Sequence, residues 1–349
     1  MSNKLIRYWL LLGVVMIFIQ ILIGGVTRLT GSGLSITKWE IVTGAIPPLG
    51  EASWLEEFQL YKETPQYKMI NEGMDLKAFK FIYFWEYFHR LWARIMGFAF
   101  IIPFLYFLSK GYLSKILKRR LLVVFLLAAA VASFGWIMVA SGLVDRPWVN
   151  AYKLAIHLTL AVITLVYLFW VFMSELSSPR IHVNKSLINR ILLPLGILLF
   201  VQLFLGGIMS GVKAALVYPT WPDLHGEFFP SVLIEEGSWT LFNFVNYDKG
   251  IFFPALIQFL HRMNGYLVFI LGLIFLFSIF KSNRYLALRP KAIIWFLVLL
   301  LQIGLGILVL INSIGIIPVG LGVLHQVIGI LLILIFASIY FSVSRNNGY

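Results

Sequence analysis

Long apolar runs separated by short polar connections dominate the pattern along this chain. Eight of the runs are long enough to cross about 30 Å of hydrocarbon as α-helices. They lie near residues 6–26, 81–108, 121–142, 150–174, 188–211, 252–280, 291–312 and 318–343. The pattern therefore predicts an all-α polytopic membrane protein with eight transmembrane helices.

The composition agrees with a membrane protein and limits the kinds of binding and catalytic site that the chain can contain. Of the 349 residues, 60% are hydrophobic and 12% are charged, the latter about half the share found in soluble domains. The net charge of +13 comes from basic residues clustered in particular short loops, which indicates membrane orientation and not nucleic-acid binding. Because the chain has no cysteine, disulfides, thiolate metal sites and a catalytic thiol are excluded.

Charge also orients the helices. One set of connections is basic and contains a single acid, Glu175, whereas the opposite set carries more acids than bases. By the positive-inside bias, both termini are expected to be cytoplasmic and the long loops 27–80 and 212–251 to face outward. We interpret the apolar run after Lys4 and Arg7 as a first spanning helix and not as a removed signal peptide.

Four histidines fall on the even-numbered predicted helices, each roughly 10–15 Å below the outer surface. They are His89, His157, His261 and His325. An imidazole in lipid needs a partner, and one such residue could simply bond a carbonyl on a neighbouring helix. Four at a common depth favour two bis-histidine haem sites, since imidazole suits iron and a porphyrin fits between helices of a bundle. Zinc would require more ligands beside each pair.

The second half of the chain repeats the plan of the first. Gly24-Gly25, Trp39 and Pro48 recur at the same spacings as Gly206-Gly207, Trp221 and Pro230; Glu86-x-x-His89-Arg90 recurs as Gln258-x-x-His261-Arg262; Gly142 with His157 matches Gly306 with His325. We therefore expect two four-helix bundles, residues 1–175 and 191–349, joined by a basic cytoplasmic linker at 176–190. The expected ligand pairs are His89 with His157 and His261 with His325.

The two predicted sites differ in one neighbour. Glu86 shares a helix face with His89 and is the only carboxylate within a predicted span, whereas its counterpart Gln258 cannot ionise. A carboxylate beside one haem suggests one reactive site and one electron-transfer or structural site. In the alternative reading, Glu86 pairs with Arg90 or Arg94 and only orders the helix end.

The remaining polar residues near the predicted sites can be explained by roles at the membrane interface or in loops as well as by haem binding. Arg90 and Arg262 directly follow a histidine, so they could neutralise haem propionates or reach to the outer interface. Lys153 is expected to reach the interface, and His182 and His225 are read as loop residues without a repeat partner. The Gly, Ser and Thr-rich segment 27–39 is either a structural lid or a substrate contact.

Taken together, these motifs resemble haem A synthases. The resemblance rests on residues 24–35, Trp39, Ile46-Pro47-Pro48, the Glu86-x-x-His89-Arg90 and Gln258-x-x-His261-Arg262 motifs, His157 and His325. It covers nearly the whole chain. Because cysteine is absent, the chain is similar to the cysteine-free branch found in bacteria and mitochondria, and a mechanism that needs outer thiols is excluded.

The resemblance implies an oxidoreductase that converts the C8 methyl of haem O to the formyl of haem A by two hydroxylations and loss of water. It implies haem O between His89 and His157, and a permanent, electron-passing haem b between His261 and His325. Glu86 would stabilise positive charge at the methyl carbon or shuttle protons. Haem O synthase and cytochrome oxidase assembly factors are partners by family analogy, the electron donor is unidentified, and the absence of an obvious transit peptide favours a bacterial inner membrane.

Two other classes of membrane protein compete with this interpretation. A bis-haem electron carrier of the cytochrome b kind would stagger its haems in depth, whereas these histidines all lie near one face. A transporter built from repeats would place polar residues near the midplane on broken helices, and neither feature is evident in the sequence.

Overall fold

The computed structural model describes residues 2–38, 46–144, 146–176 and 188–344. Twelve α-helices occur in these ranges, and no β-strand does. They are α1 (Ser2–Leu29), α2 (Glu51–Lys62), α3 (Pro65–Met69), α4 (Leu76–Ser109), α5 (Lys115–Gly142), α6 (Ala151–Ser174), α7 (Leu193–Gly211), α8 (Ala214–Val217), α9 (Leu241–Val245), α10 (Phe252–Phe280), α11 (Arg289–Ile311) and α12 (Val319–Ser344). Trp39 and His182, named above, lie outside the described residues.

Eight of these helices are long and apolar enough to cross a membrane. They are α1, α4, α5, α6, α7, α10, α11 and α12, and they coincide with the eight predicted spans. The prediction of an all-α, multi-pass membrane protein is confirmed. Large apolar side chains such as Phe98, Ile102 and Phe277 are exposed along these helices, which suits surfaces that face lipid.

Polar caps define where several helices begin. The carboxylate of Asp75 accepts a 2.7 Å hydrogen bond from the Ala78 N–H at the start of α4, and Ser114 Oγ accepts one of 3.1 Å from the Leu117 N–H at the start of α5. Such caps satisfy backbone donors that have no partner within the helix.

The chain forms two compact units, residues 1–168 and 169–349. In the first unit, α1 lies along α4, with indole N–H groups bonding carbonyls in both directions: Trp9 to Ala99 and Trp92 to Met16. In the second unit, a buried Trp295 on α11 packs edge-on against Phe275 of α10. Each unit therefore has its own packed interior.

An aromatic cluster outside the predicted spans extends the first unit. Phe58 and Tyr61 of α2 pack against Phe79 and Tyr83 of α4, with Phe58 and Phe79 stacked at 5.0 Å between ring centroids. This packing explains why α4 begins at Leu76, five residues before the predicted start, since its first turns bury Phe79 against α2. The short helices between the membrane spans were not predicted.

Candidate functional site

The four histidines lie on four of the membrane helices, two in each unit. His89 is on α4 and His157 on α6; His261 is on α10 and His325 on α12. Each compact unit therefore contains one of the expected pairs, with its two histidines on two different membrane helices.

A glycine on the preceding membrane helix faces each imidazole. A Cβ built on Gly24, Gly135 or Gly206 would lie 3.1, 3.0 or 3.3 Å from Cε1 of His89, His157 or His261, respectively. For Gly306 and His325 the distance would be 2.9 Å. Only glycine lets the ring lie this close to the neighbouring backbone without a shift. We call these four contacts the ring seats.

Each ring seat also contains a hydrogen-bonding group four residues before the glycine, which places it one helical turn away. In three seats it is a glutamine: Gln20 Nε2 lies 3.2 Å from both ring nitrogens of His89, Gln202 Nε2 lies 3.1 Å from His261 Nε2, and Gln302 Nε2 lies 3.3 Å from His325 Nε2. In the fourth seat, the Val131 carbonyl lies 3.0 Å from His157 Nδ1.

The ring nitrogens fit axial ligation of a haem. Nδ1 of His261 and of His325 is buried and has no hydrogen-bond partner within the described part of the chain, so the contacts of Nε2 with glutamine decide which nitrogen of each ring carries the lone pair. His157 uses Nδ1 on a carbonyl, so its other nitrogen remains for a metal, as in metal-bound histidines generally. No group of three or more His, Asp or Glu side chains suited to a metal occurs among the described residues, and a haem needs only two axial protein ligands.

Glu86 is buried, with 3% of its surface exposed, and its carboxylate is fully engaged. Oε2 accepts hydrogen bonds from the Ser35 N–H (2.7 Å), the Ser35 hydroxyl (2.8 Å) and the Ile36 N–H (2.9 Å). Oε1 pairs with the Arg90 guanidinium one turn along α4. The ion pair with Arg90, raised above as an alternative, is therefore present, and the carboxylate also holds Ser35 and Ile36 against α4.

Gln258, the counterpart of Glu86, also forms a hydrogen bond with the backbone, but as the donor and not as the acceptor. It is buried, and its Nε2 donates a 2.8 Å hydrogen bond to the Tyr218 carbonyl. An amide can donate to a carbonyl, whereas a carboxylate accepts from N–H groups. The exchange of Glu for Gln thus matches the backbone group that each must satisfy.

The two arginines bind backbone carbonyl groups in the segments that connect α1 to α4 and α7 to α10. Arg90 donates to the carbonyls of Ile36 and Lys38, each at 3.3 Å. Arg262 donates to the carbonyls of Pro222, Asp223 (2.9 Å) and Thr220 (3.0 Å), and it is 9% exposed. Both guanidinium groups therefore hold a loop over the helix that carries the histidine.

The segment that follows α1 is packed against neighbouring residues of the first unit. Ser32, Leu34 and Ser35 are buried, and Gln66 Nε2 donates a 2.9 Å hydrogen bond to the Gly31 carbonyl. Gln66 in turn accepts a bond from the Tyr61 hydroxyl. Burial raises the pKa of the Tyr61 phenol to about 12, although the hydrogen bond from Asn71 acts in the opposite direction.

Comparison with known proteins identifies the family. Residues 7–337 match the family described as cytochrome oxidase assembly protein. A Flavobacterium psychrophilum protein named Heme A synthase is 40% identical, covering 95% of this chain and 96% of its own length. Those of Azorhizobium caulinodans and Bradyrhizobium diazoefficiens are each 39% identical, covering 99% and 94% of this chain and 96% and 88% of their own lengths. This chain belongs to the haem A synthase family.

Membership of the haem A synthase family confirms the resemblance drawn from the sequence motifs. The structure also adds a contact that the repeat did not indicate: the glycine against His157 is Gly135, whereas Gly142 packs against Leu34. His225 is exposed and its ring lies 5.1 Å from that of Tyr218, as expected for a loop residue.

The sequence motifs described above do not include the glutamines of the ring seats. A signal was present, because Gln20, Gln202 and Gln302 are polar residues within apolar runs and each precedes a glycine by four positions. The motif Gln-x-x-x-Gly thus occurs three times. Only the contact with an imidazole shows what it is for.

Proposed function

We propose that this protein is a haem A synthase that oxidises the C8 methyl of haem O to the formyl group of haem A, by two successive hydroxylations and loss of water. The observation that carries the proposal is the pair of partly buried histidines, each facing a glycine, in each unit of a chain that is related to haem A synthases over nearly its whole length. This makes the protein a membrane oxidoreductase of haem A biosynthesis.

The two units are assigned different haems. His89 and His157 would hold the substrate, haem O, and His261 and His325 would hold a resident haem b. When bound, haem iron supplies the redox chemistry of the reaction. The difference between Glu86 and Gln258 supports placing the reactive site in the first unit, because only that unit has a carboxylate one turn from an axial histidine.

Glu86 is proposed as the catalytic carboxylate. Its four hydrogen-bonding contacts fix the position of a negative charge on the same helix as His89. A preorganised charge of this kind stabilises positive charge that develops at a nearby carbon. Since every contact donates to the carboxylate, the geometry favours an electrostatic role over a proton shuttle.

Arg90 and Arg262 are proposed to position the haem propionates through the loops they hold. Each guanidinium holds a loop against a histidine-bearing helix and carries positive charge that suits carboxylates. We place the protein in a bacterial inner membrane, with haem O as substrate, lipids as surroundings, and haem O synthase and cytochrome oxidase assembly factors as associated proteins.

The test is co-expression with a haem O producer, followed by extraction and chromatography of the haems. Haem A is the expected product. A well-expressed, haem-loaded protein that yields only haems b and O would overturn the proposal, and would favour instead a bis-haem electron carrier of the cytochrome b kind.

A further inference from the structure

We propose that the two axial histidines of each unit bind iron unequally: His157 and His325 are the stronger ligands, and His89 and His261 are the weaker ones. This inference rests on the proposed function, in which these four residues hold haem. It assigns to Gln20, Gln202 and Gln302 the role of positioning residues that set the strength of each iron–histidine bond.

The physical basis is the single lone pair of a neutral imidazole. One ring nitrogen carries a proton and the other carries the lone pair that binds a metal. A group that accepts a hydrogen bond from the N–H fixes the tautomer and makes the other nitrogen a better ligand. A group that donates an N–H to the ring uses the same lone pair as the metal and therefore competes with it.

His157 has an acceptor as its neighbour. The Val131 carbonyl has no hydrogen to give, so His157 Nδ1 is the donor across their 3.0 Å contact. The lone pair then lies on Nε2 and is available to iron. Gly135 makes this approach to the backbone of α5 feasible.

His89 has a donor as its neighbour. Gln20 Nε2 lies 3.1 Å from the His89 backbone carbonyl and 3.2 Å from both ring nitrogens. The contact with the carbonyl prevents the amide from turning over, because an oxygen in that place would face another oxygen. Gln20 therefore presents an N–H to the ring.

The donor facing His261 is held by a third residue. Asn264 Nδ2 donates to the Leu198 carbonyl at 3.0 Å and to Gln202 Oε1 at 2.6 Å. With its oxygen bound in this way, Gln202 directs its Nε2 to His261 Nε2, 3.1 Å away. Asn264 is buried and so protects this arrangement from water.

The side-chain amide of Gln302 is not held in one orientation by a third residue. Its Nε2 bonds only His325 Nε2, at 3.3 Å, and its Oε1 is buried without a hydrogen-bond partner among the described residues. A half-turn of the amide places the oxygen against the ring, where it accepts the imidazole N–H and frees the opposite nitrogen for iron. His325 thereby gains an acceptor, as His157 has.

The inequality has a consequence at the substrate site. The weaker ligand, His89, lies on α4 one turn from Glu86. If His89 and His157 hold the substrate haem, the weaker of the two ligands would therefore be the one that shares a helix with the fixed carboxylate.

The test uses the same substitution at two places around the resident haem b. The full-length protein, purified with its haem, is mixed with excess apomyoglobin, and haem transfer is followed by absorbance. Gln202→Leu removes a competing donor and should slow transfer, whereas Gln302→Leu removes an acceptor and should speed it. Each change should be about 2- to 10-fold, the range for one net hydrogen bond.

The opposite signs separate this role from a merely structural one, which would move both rates in the same direction. Asn264→Leu, which releases the Gln202 amide, should also slow transfer. Gly304→Ala is the control, since no atom lies within 4 Å of its added Cβ. Equal or unchanged rates in the two glutamine variants would overturn the inference alone, whereas a wild-type protein without haem b would overturn the proposed function.

Discussion

At the scale of single residues, Glu86 and Gln258 occupy matching positions three residues before a histidine, yet they satisfy opposite backbone groups. Glu86 accepts from two N–H groups of residues 35 and 36, and Gln258 donates to the carbonyl of Tyr218. The carboxylate therefore has a structural duty as well as the catalytic one proposed here. An informative substitution must therefore remove the catalytic role of Glu86 without removing its structural role.

Glu86→Gln should lower haem A formation by about 100-fold, the usual cost of losing one preorganised electrostatic contact at a transition state. Resident haem b should remain, because its proposed ligands lie in the other unit. Extracted haems and the absorbance spectrum measure both quantities.

Gln258→Glu is the matched control, since it brings a carboxylate against a carbonyl in the second unit and should leave haem O oxidation less affected than Glu86→Gln does. Full activity in Glu86→Gln would show that the charge is not needed for catalysis.

At the scale of helices, the eight spans were predictable because long apolar runs leave a membrane segment little choice but a helix. The helices α2 and α3 were not, since they are short and depend on tertiary packing: α2 lies against α4, and Tyr67 of α3 packs against Phe58 and Tyr61 of α2. Nor did the repeat indicate which glycine meets His157: the way α5 and α6 face each other brings Gly135 to the ring.

The ring seats make a prediction about helix packing. Gly306→Ala would place a Cβ 2.9 Å from His325 Cε1, and overpacking of this kind costs about 1–3 kcal/mol. We expect weaker retention of haem b and an altered haem absorption spectrum.

Gly304→Ala, two residues away on α11 and with open space around its Cβ, should retain haem b with an unchanged spectrum. If both alanine variants behaved like the wild type, the close approach of α11 to His325 would not matter for the haem.

At the scale of the whole molecule, each compact unit contains one complete pair of histidines: His89 and His157 within residues 1–168, and His261 and His325 within residues 169–349. Replacing His89 and His157 together by alanine should therefore abolish haem O binding yet leave about one haem b per protein. Haem and protein assays on the purified variant measure this ratio. Loss of haem b as well would show that the sites depend on each other.

Orientation in the membrane is a second prediction at this scale. The cysteine-free chain offers a clean background for single-cysteine labelling at the exposed residues on either side of α10. In intact cells, or in spheroplasts if there is an outer membrane, Lys249→Cys should react with a membrane-impermeant maleimide. Lys281→Cys should react only after permeabilisation, since the basic loop 281–290 is expected inside. The reverse pattern would invert the topology.

The sequence by itself determined the membrane class, the eight spans, the histidines and the family, because hydrophobic length, intramembrane imidazoles and spaced motifs are properties of the chain read in order. Only the tertiary structure decided which groups meet those imidazoles. Hydrogen bonds such as those of Gln20, Gln202 and Val131 join residues far apart in sequence, and their direction depends on which neighbours hold each amide or carbonyl. The direction of these hydrogen bonds depends on how the side chains pack, and the spacing of residues along the sequence does not reveal it.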